Sequence, residues 1–146
     1  MTHQLLRVDI EDHAYVVDVG FGGQTLTGPL RLEAELEQVT PHELFRLVQA
    51  GDGFKLQSKI GAEWKTLYRF DLEEVFQPDY EVLNYYASTH PNSLFVNKLV
   101  VARPATGRRY ALSDNQLTVH HWGLPASGGF SRPWASSERR WRPPFS

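Results

Sequence analysis

Apolar and polar residues alternate in short runs through the first half of the chain. His3 to Asp9 (HQLLRVD) and Ala14 to Val19 (AYVVDV) are rich in Leu, Val and Tyr and too short for helices. The polar stretch Asp9-Ile10-Glu11-Asp12 between them predicts a hairpin with a loop of about four residues. Gly20-Phe21-Gly22-Gly23 and Gly28-Pro29 then break the pattern. Phe45 to Gln49 and Phe54 to Ser58 flank a turn at Ala50-Gly51-Asp52-Gly53, and Trp64 to Phe70 follows as a further strand. Short strands with turn signals at about 8–12-residue intervals predict a sandwich or barrel.

The second half is mixed. Tyr80, Leu83, Tyr86 and Ala87 have helical spacing, which predicts a helix over Asp79 to Ser88 with Asp79 as N-cap, ended by Thr89-His90-Pro91. Phe95 to Arg103 and Arg109 to Leu112 are expected as strands around Thr106-Gly107, and Gln116 to His121 as the last strand. Leu124 to Ser146 holds four Arg, four Pro, five Ser, two Trp and two Phe, with no period of a helix or strand. It is expected to be irregular. Its arginines are split by prolines and make a poor nucleic-acid arm.

Composition narrows the classes. A formal net charge of −2 does not suit a chain built to coat nucleic acid or anionic lipid, and no apolar run of about 18 residues predicts a membrane span. The N-terminus shows no charged region followed by an apolar stretch, so no secretory leader is expected. The chain has no cysteine, which excludes a disulfide, a thiolate zinc site and a thiol nucleophile within it.

One pair carries candidate chemistry. With a four-residue loop, His3 faces Asp18 directly across the hairpin, with Cβ atoms about 4.5–5.5 Å apart. A carboxylate so placed holds one imidazole nitrogen and leaves the other for a third group. Asp18 sits inside Val16-Val17-Asp18-Val19, where a carboxylate is costly without a partner. The alternatives are a buried His–Asp bond serving stability alone, or a one-residue register slip that separates the two. The glycine-rich loop after Asp18 either cradles a ligand with backbone N–H groups or turns a crowded corner. His90 suits a helix C-terminus. His120 and His121 point to opposite faces of a strand and cannot chelate one metal together, so no metal site is expected. His13 and His42 have polar surroundings. Trp64, Tyr68 and Phe70 alternate onto one face, as core packing would have them.

Thr2-His3-x-Leu-Leu, the run Asp18-Val19-Gly20-Phe21-Gly22-Gly23, Tyr68-Arg69-Phe70-Asp71-Leu72 and Asn84 to Pro91 together resemble the arylamine N-acetyltransferases, from Thr2 to about Gly123. The resemblance implies a cytoplasmic enzyme with a Cys-His-Asp triad. It carries acetyl from acetyl-CoA to an arylamine, hydrazine or arylhydroxylamine by a ping-pong route. His3 and Asp18 match the triad histidine and aspartate. Phe21 and Gly22 match positions that line the acceptor pocket, and Asn115 and His120 fall where such proteins approach CoA. The implied fold is α+β and mainly β. It comprises an antiparallel β-barrel-like domain over residues 1–76, a connecting helix over 77–92, a partial α/β lid over 93–123 and an irregular tail over 124–146.

The family's cysteine lies on a helical domain upstream of the triad histidine. Here Met1 precedes His3 by two residues and no cysteine occurs. The expectation is a truncated acetyltransferase with an out-of-frame tail, inactive alone. The alternatives are a non-catalytic module that binds CoA or aromatic ligands, and a half that complements a separate helical domain. A face without its helical partner is expected to promote self-association.

Overall fold

The computed structural model describes residues 3–121. Strands β1 (Leu6–Ile10) and β2 (His13–Val17) form a hairpin, and β3 (Leu30–Arg31) joins the far edge of β2. Strands β4 (Glu37–Val39), β5 (Leu44–Ala50), β6 (Gly53–Ile60) and β7 (Glu63–Phe70) make a four-stranded antiparallel meander. Helix α1 (Gln77–Thr89) and the short α2 (Leu94–Asn97) connect this to a second meander of β8 (Val100–Ala105), β9 (Arg108–Ser113) and β10 (Gln116–His121). The protein is mainly β with antiparallel sheets, as expected, but the sheets do not close into a barrel among the described residues.

The core lies between the first two sheets. Val16, Leu26 and Leu30 pack against Phe45, Leu47 and Leu56, all buried, and Leu5, Leu32, Phe54, Leu67, Tyr68 and Phe70 close around them. Along β5 and β6 the buried residues Phe45, Leu47, Leu56 and Ser58 recur at every second position, so this sheet presents one face to the core. Gly53 lets β6 start tight against β7, since a Cβ there would meet the Phe70 carbonyl oxygen at 2.2 Å.

Several expectations are corrected. The β1–β2 loop is only Glu11-Asp12, with Glu11 at φ 52°. Leu6 therefore pairs with Val17 and Ile10 with His13, a shift of two residues from the expected register. A shift of two keeps every side chain on its face, whereas a shift of one would have reversed the hairpin. His3 lies before the ladder, not in it. Helix α1 starts two residues early, and Asp79 is not the cap: it stands at the third helical position and accepts the Phe76 N–H at 3.2 Å. Phe95 to Arg103 is not one strand. Ser93 accepts the Phe95 N–H at 3.3 Å and caps α2, so β8 begins only at Val100. The expected tail lies outside the described residues.

Trp64 does not share a face with Tyr68 and Phe70. A β-bulge at Leu67 interrupts β7: Gln57 pairs with Thr66, while the next residue back, Leu56, pairs with Tyr68. Trp64 consequently faces outward, with the Arg46 guanidinium 4.4 Å above its ring. Tyr68 and Phe70 face the core.

Candidate active site

Asp18 follows β2 immediately, and the apolar run before it carries it to the interior, where it is 3% exposed. A buried carboxylate requires partners. The Gly20 amide donates to Oδ1 at 2.9 Å, and the Tyr68 hydroxyl donates to Oδ2 at 2.6 Å. His3 Nε2 lies 2.9 Å from Oδ1. This last contact has ion-pair distance without hydrogen-bond alignment, and the Gly20 amide approaches the same oxygen. The structure therefore brings His3 and Asp18 together, though by a chain segment ahead of the ladder and not by direct cross-strand pairing.

Two aromatic rings fix the imidazole. Phe21 meets it edge-on with centroids 5.2 Å apart, Tyr68 lies at 5.4 Å, and the two rings contact each other at 4.4 Å. Burial pushes the Tyr68 phenol well above its ordinary range, and the hydrogen bond to Asp18 and the charge of that carboxylate push it further. Tyr68 thus remains a neutral donor and completes an unpaired side of Asp18. Sequence patterning gave it a packing role only, because the bulge that aims it is invisible in a period-two count.

The backbone at Phe21 and Gly22 is shaped locally. Gly22 has φ +88°, a conformation that favours glycine, and both the Thr25 N–H (3.3 Å) and hydroxyl (3.0 Å) donate to its carbonyl. Phe21 and His3 line an open cleft of about 960 Å³, together with Leu5, Tyr68, Phe70 and Tyr80. Asn115 sits in the β9–β10 turn and His120 on β10 opposite Arg109, and neither lines this cleft.

The remaining histidines are placed without the dyad. His90 caps α1, stacks on Tyr86 at 4.5 Å and accepts the Asn92 N–H at 3.1 Å. His13 lies 3.4 Å from an Arg31 nitrogen. No helix among the described residues is long and apolar enough to cross a membrane.

Chemically, an imidazole with one nitrogen turned to a buried carboxylate and its Nδ1 left over is an arrangement for moving a proton to and from a third group. The third group is not in the chain if it is a thiol, since there is no cysteine.

Comparison with known proteins fits this geometry. The family model described as N-acetyltransferase matches residues 1–129. The chain is 47% identical over 124 residues to the arylamine N-acetyltransferase of Mycolicibacterium smegmatis, covering 84% of this chain and 45% of that protein. It is 42% identical over 123 residues to the arylamine N-acetyltransferase / N-hydroxyarylamine O-acetyltransferase of Salmonella typhimurium, covering 84% and 44%. The solved structure of Mycobacterium marinum arylamine N-acetyltransferase in complex with CoA superposes with a TM-score of 0.77 at 42% identity, covering 84% and 46%. The chain spans about half the length of the curated relatives it matches.

Proposed function

The chain belongs to the arylamine N-acetyltransferase family, and on that premise we propose that it supplies the histidine and aspartate of an acetyl-transfer site whose thiol comes from outside these 146 residues. The observation that carries this is the His3–Asp18 contact at 2.9 Å, with Asp18 buried and held by Gly20 and Tyr68.

In this reading His3 Nδ1 takes the proton of the thiol, and Asp18 stabilises the resulting imidazolium. A neighbouring imidazolium lowers a thiol pKa to about 3.5–7.5, so the thiolate is available near neutral pH. The thiolate attacks the acetyl carbonyl of acetyl-CoA, CoA leaves with a proton, and an arylamine or hydrazine nitrogen then attacks the thioester. His3 accepts the amine proton as the thiolate departs. Phe21 and Gly22 flank the acceptor, and Asn115 and His120 are assigned loosely to CoA. The co-substrate assignment draws on the CoA complex of the relative. The setting proposed is cytoplasmic.

The test is reconstitution. The purified chain alone should transfer no acetyl group to an arylamine. Mixed with the separately produced cysteine-bearing segment of the Mycolicibacterium smegmatis relative, it should do so, and His3→Gln should abolish the gain. Transfer by the chain alone, or none from a folded mixture, sinks the proposal.

The lack of cysteine beside an open 960 Å³ cleft favours a second reading, a module that binds CoA or an aromatic ligand without chemistry. Micromolar calorimetric binding of CoA with no transfer after reconstitution would select it. Either way, Leu6, Val8 and Ile10 of β1 are exposed. Self-association is part of the proposal, and size-exclusion chromatography across a dilution series checks it.

A further inference from the structure

We propose that Arg109 is a positioning residue: a clamp from β9 that fixes the loop carrying Phe21 over His3. The inference rests on the His3–Asp18 reading above. Arg109 is 2% exposed, an unusual place for a guanidinium, and four of its five N–H donors are engaged. Nε donates to Glu43 Oε1 at 2.7 Å and Nη2 pairs with Glu43 Oε2. Nη1 donates to the Gly23 carbonyl at 2.9 Å and Nη2 to the Thr25 carbonyl at 3.0 Å. Glu43 is itself 6% exposed and set in place by Thr40, whose hydroxyl donates to the Glu43 carbonyl at 2.7 Å and accepts the Glu43 N–H at 3.2 Å.

The carboxylate neutralises the charge, yet it leaves part of the fork unused. That part reaches main-chain carbonyls 86 and 84 residues away in sequence. Those carbonyls bracket the end of a glycine-rich segment that belongs to no strand, and such a segment loses much entropy when ordered. Its described internal bonds are few: Gly20 to Asp18, and Thr25 to Gly22. An anchor at Gly23 and Thr25 fixes the chain two residues after Phe21, whose ring touches both His3 and Tyr68. A lysine carries the charge but not the planar fork, so it cannot grip a carboxylate and two carbonyls together.

Nuclear magnetic resonance of the full 146-residue chain tests this with Arg109→Lys and Glu43→Gln. Arg109→Lys should speed amide exchange from Gly20 to Thr25 by about tenfold while β5 and β6 keep their rates. The ring-proton signals of His3 and Phe21 should shift, since their edge-on contact changes. Glu43→Gln should move the same signals in the same direction by less. The clamp is overturned if the loop does not loosen, if it loosens while the His3 and Phe21 ring signals stay put, or if β5 and β6 accelerate equally. If Arg109→Lys unfolds the whole chain, Glu43→Gln decides by the same signals. Failure of the acetyl-transfer reading shows separately, as a reconstituted mixture without activity in which the wild-type loop signals are intact.

Discussion

The Tyr68 hydroxyl donates to Asp18 Oδ2 at 2.6 Å, joining the end of β7 to the end of β2 across fifty residues of sequence. Removing that donor leaves a buried carboxylate oxygen unsatisfied. Tyr68→Phe should destabilise the chain by about 1–3 kcal/mol, read from urea unfolding. A variant as stable as the parent would show that the hydrogen bond contributes nothing net.

The same phenol has an alkaline signature. Its pKa is raised in the folded state, so its contribution to stability is complete below the unfolded value near 10. Above that pH the unfolded chain releases the proton and the folded one does not, so stability falls as pH rises. Ultraviolet titration should show one tyrosine ionising only with unfolding. Asp18→Asn removes the hydrogen bond to a carboxylate and the charge, and should bring that step down; an unchanged step would contradict the causes given.

In the reconstituted enzyme, Asp18→Asn should slow acetylation of the thiol by about 10²–10⁴-fold, because the imidazolium loses its counter-charge. Single-turnover acetylation by acetyl-CoA measures it. A loss under about threefold would leave His3 without need of Asp18.

Gly53→Ala should force β6 and β7 apart, since the new methyl would sit 2.2 Å from the Phe70 carbonyl oxygen, backbone that cannot step aside. A loss of about 1–3 kcal/mol is expected, with the Phe54–Phe70 stack, 5.7 Å between centroids, disturbed first. Thermal unfolding together with the aromatic signals of the two rings checks both parts.

The Arg109–Glu43 pair lies in a low-dielectric junction. Arg109→Met strands a carboxylate and should cost about 3–5 kcal/mol, whereas Arg109→Met combined with Glu43→Leu should cost clearly less. Denaturant midpoints of the two variants decide; equal losses would mean that the carbonyl contacts dominate.

Parts of this were legible in the sequence for physical reasons. Asp18 stood out because an apolar run makes an unpartnered carboxylate costly, and the β1–β2 hairpin followed from two Leu/Val-rich runs. The two-residue loop is not legible, since Glu11 takes a positive φ that patterning does not predict for glutamate. Strands β3 and β4, of two and three residues, are too short to show a period. Arg109 resembled any strand arginine, because its partners lie far away in the chain. Alternation from Trp64 gives Tyr68 only a packing role, because it places the ring on that residue's face and says nothing of Asp18.

The bulge at Leu67 gives β7 two origins of counting. Trp64 takes its direction from the β6–β7 turn, whereas Tyr68 takes its own from the irregularity. Were the ladder regular from the turn onward, Leu56 would face Leu67 and Tyr68 would stand opposite Lys55, on the solvent side. Deleting Leu67 would instead heal the ladder and leave the phenol where it is. Within this strand, then, a gain or loss of one residue matters differently from any substitution.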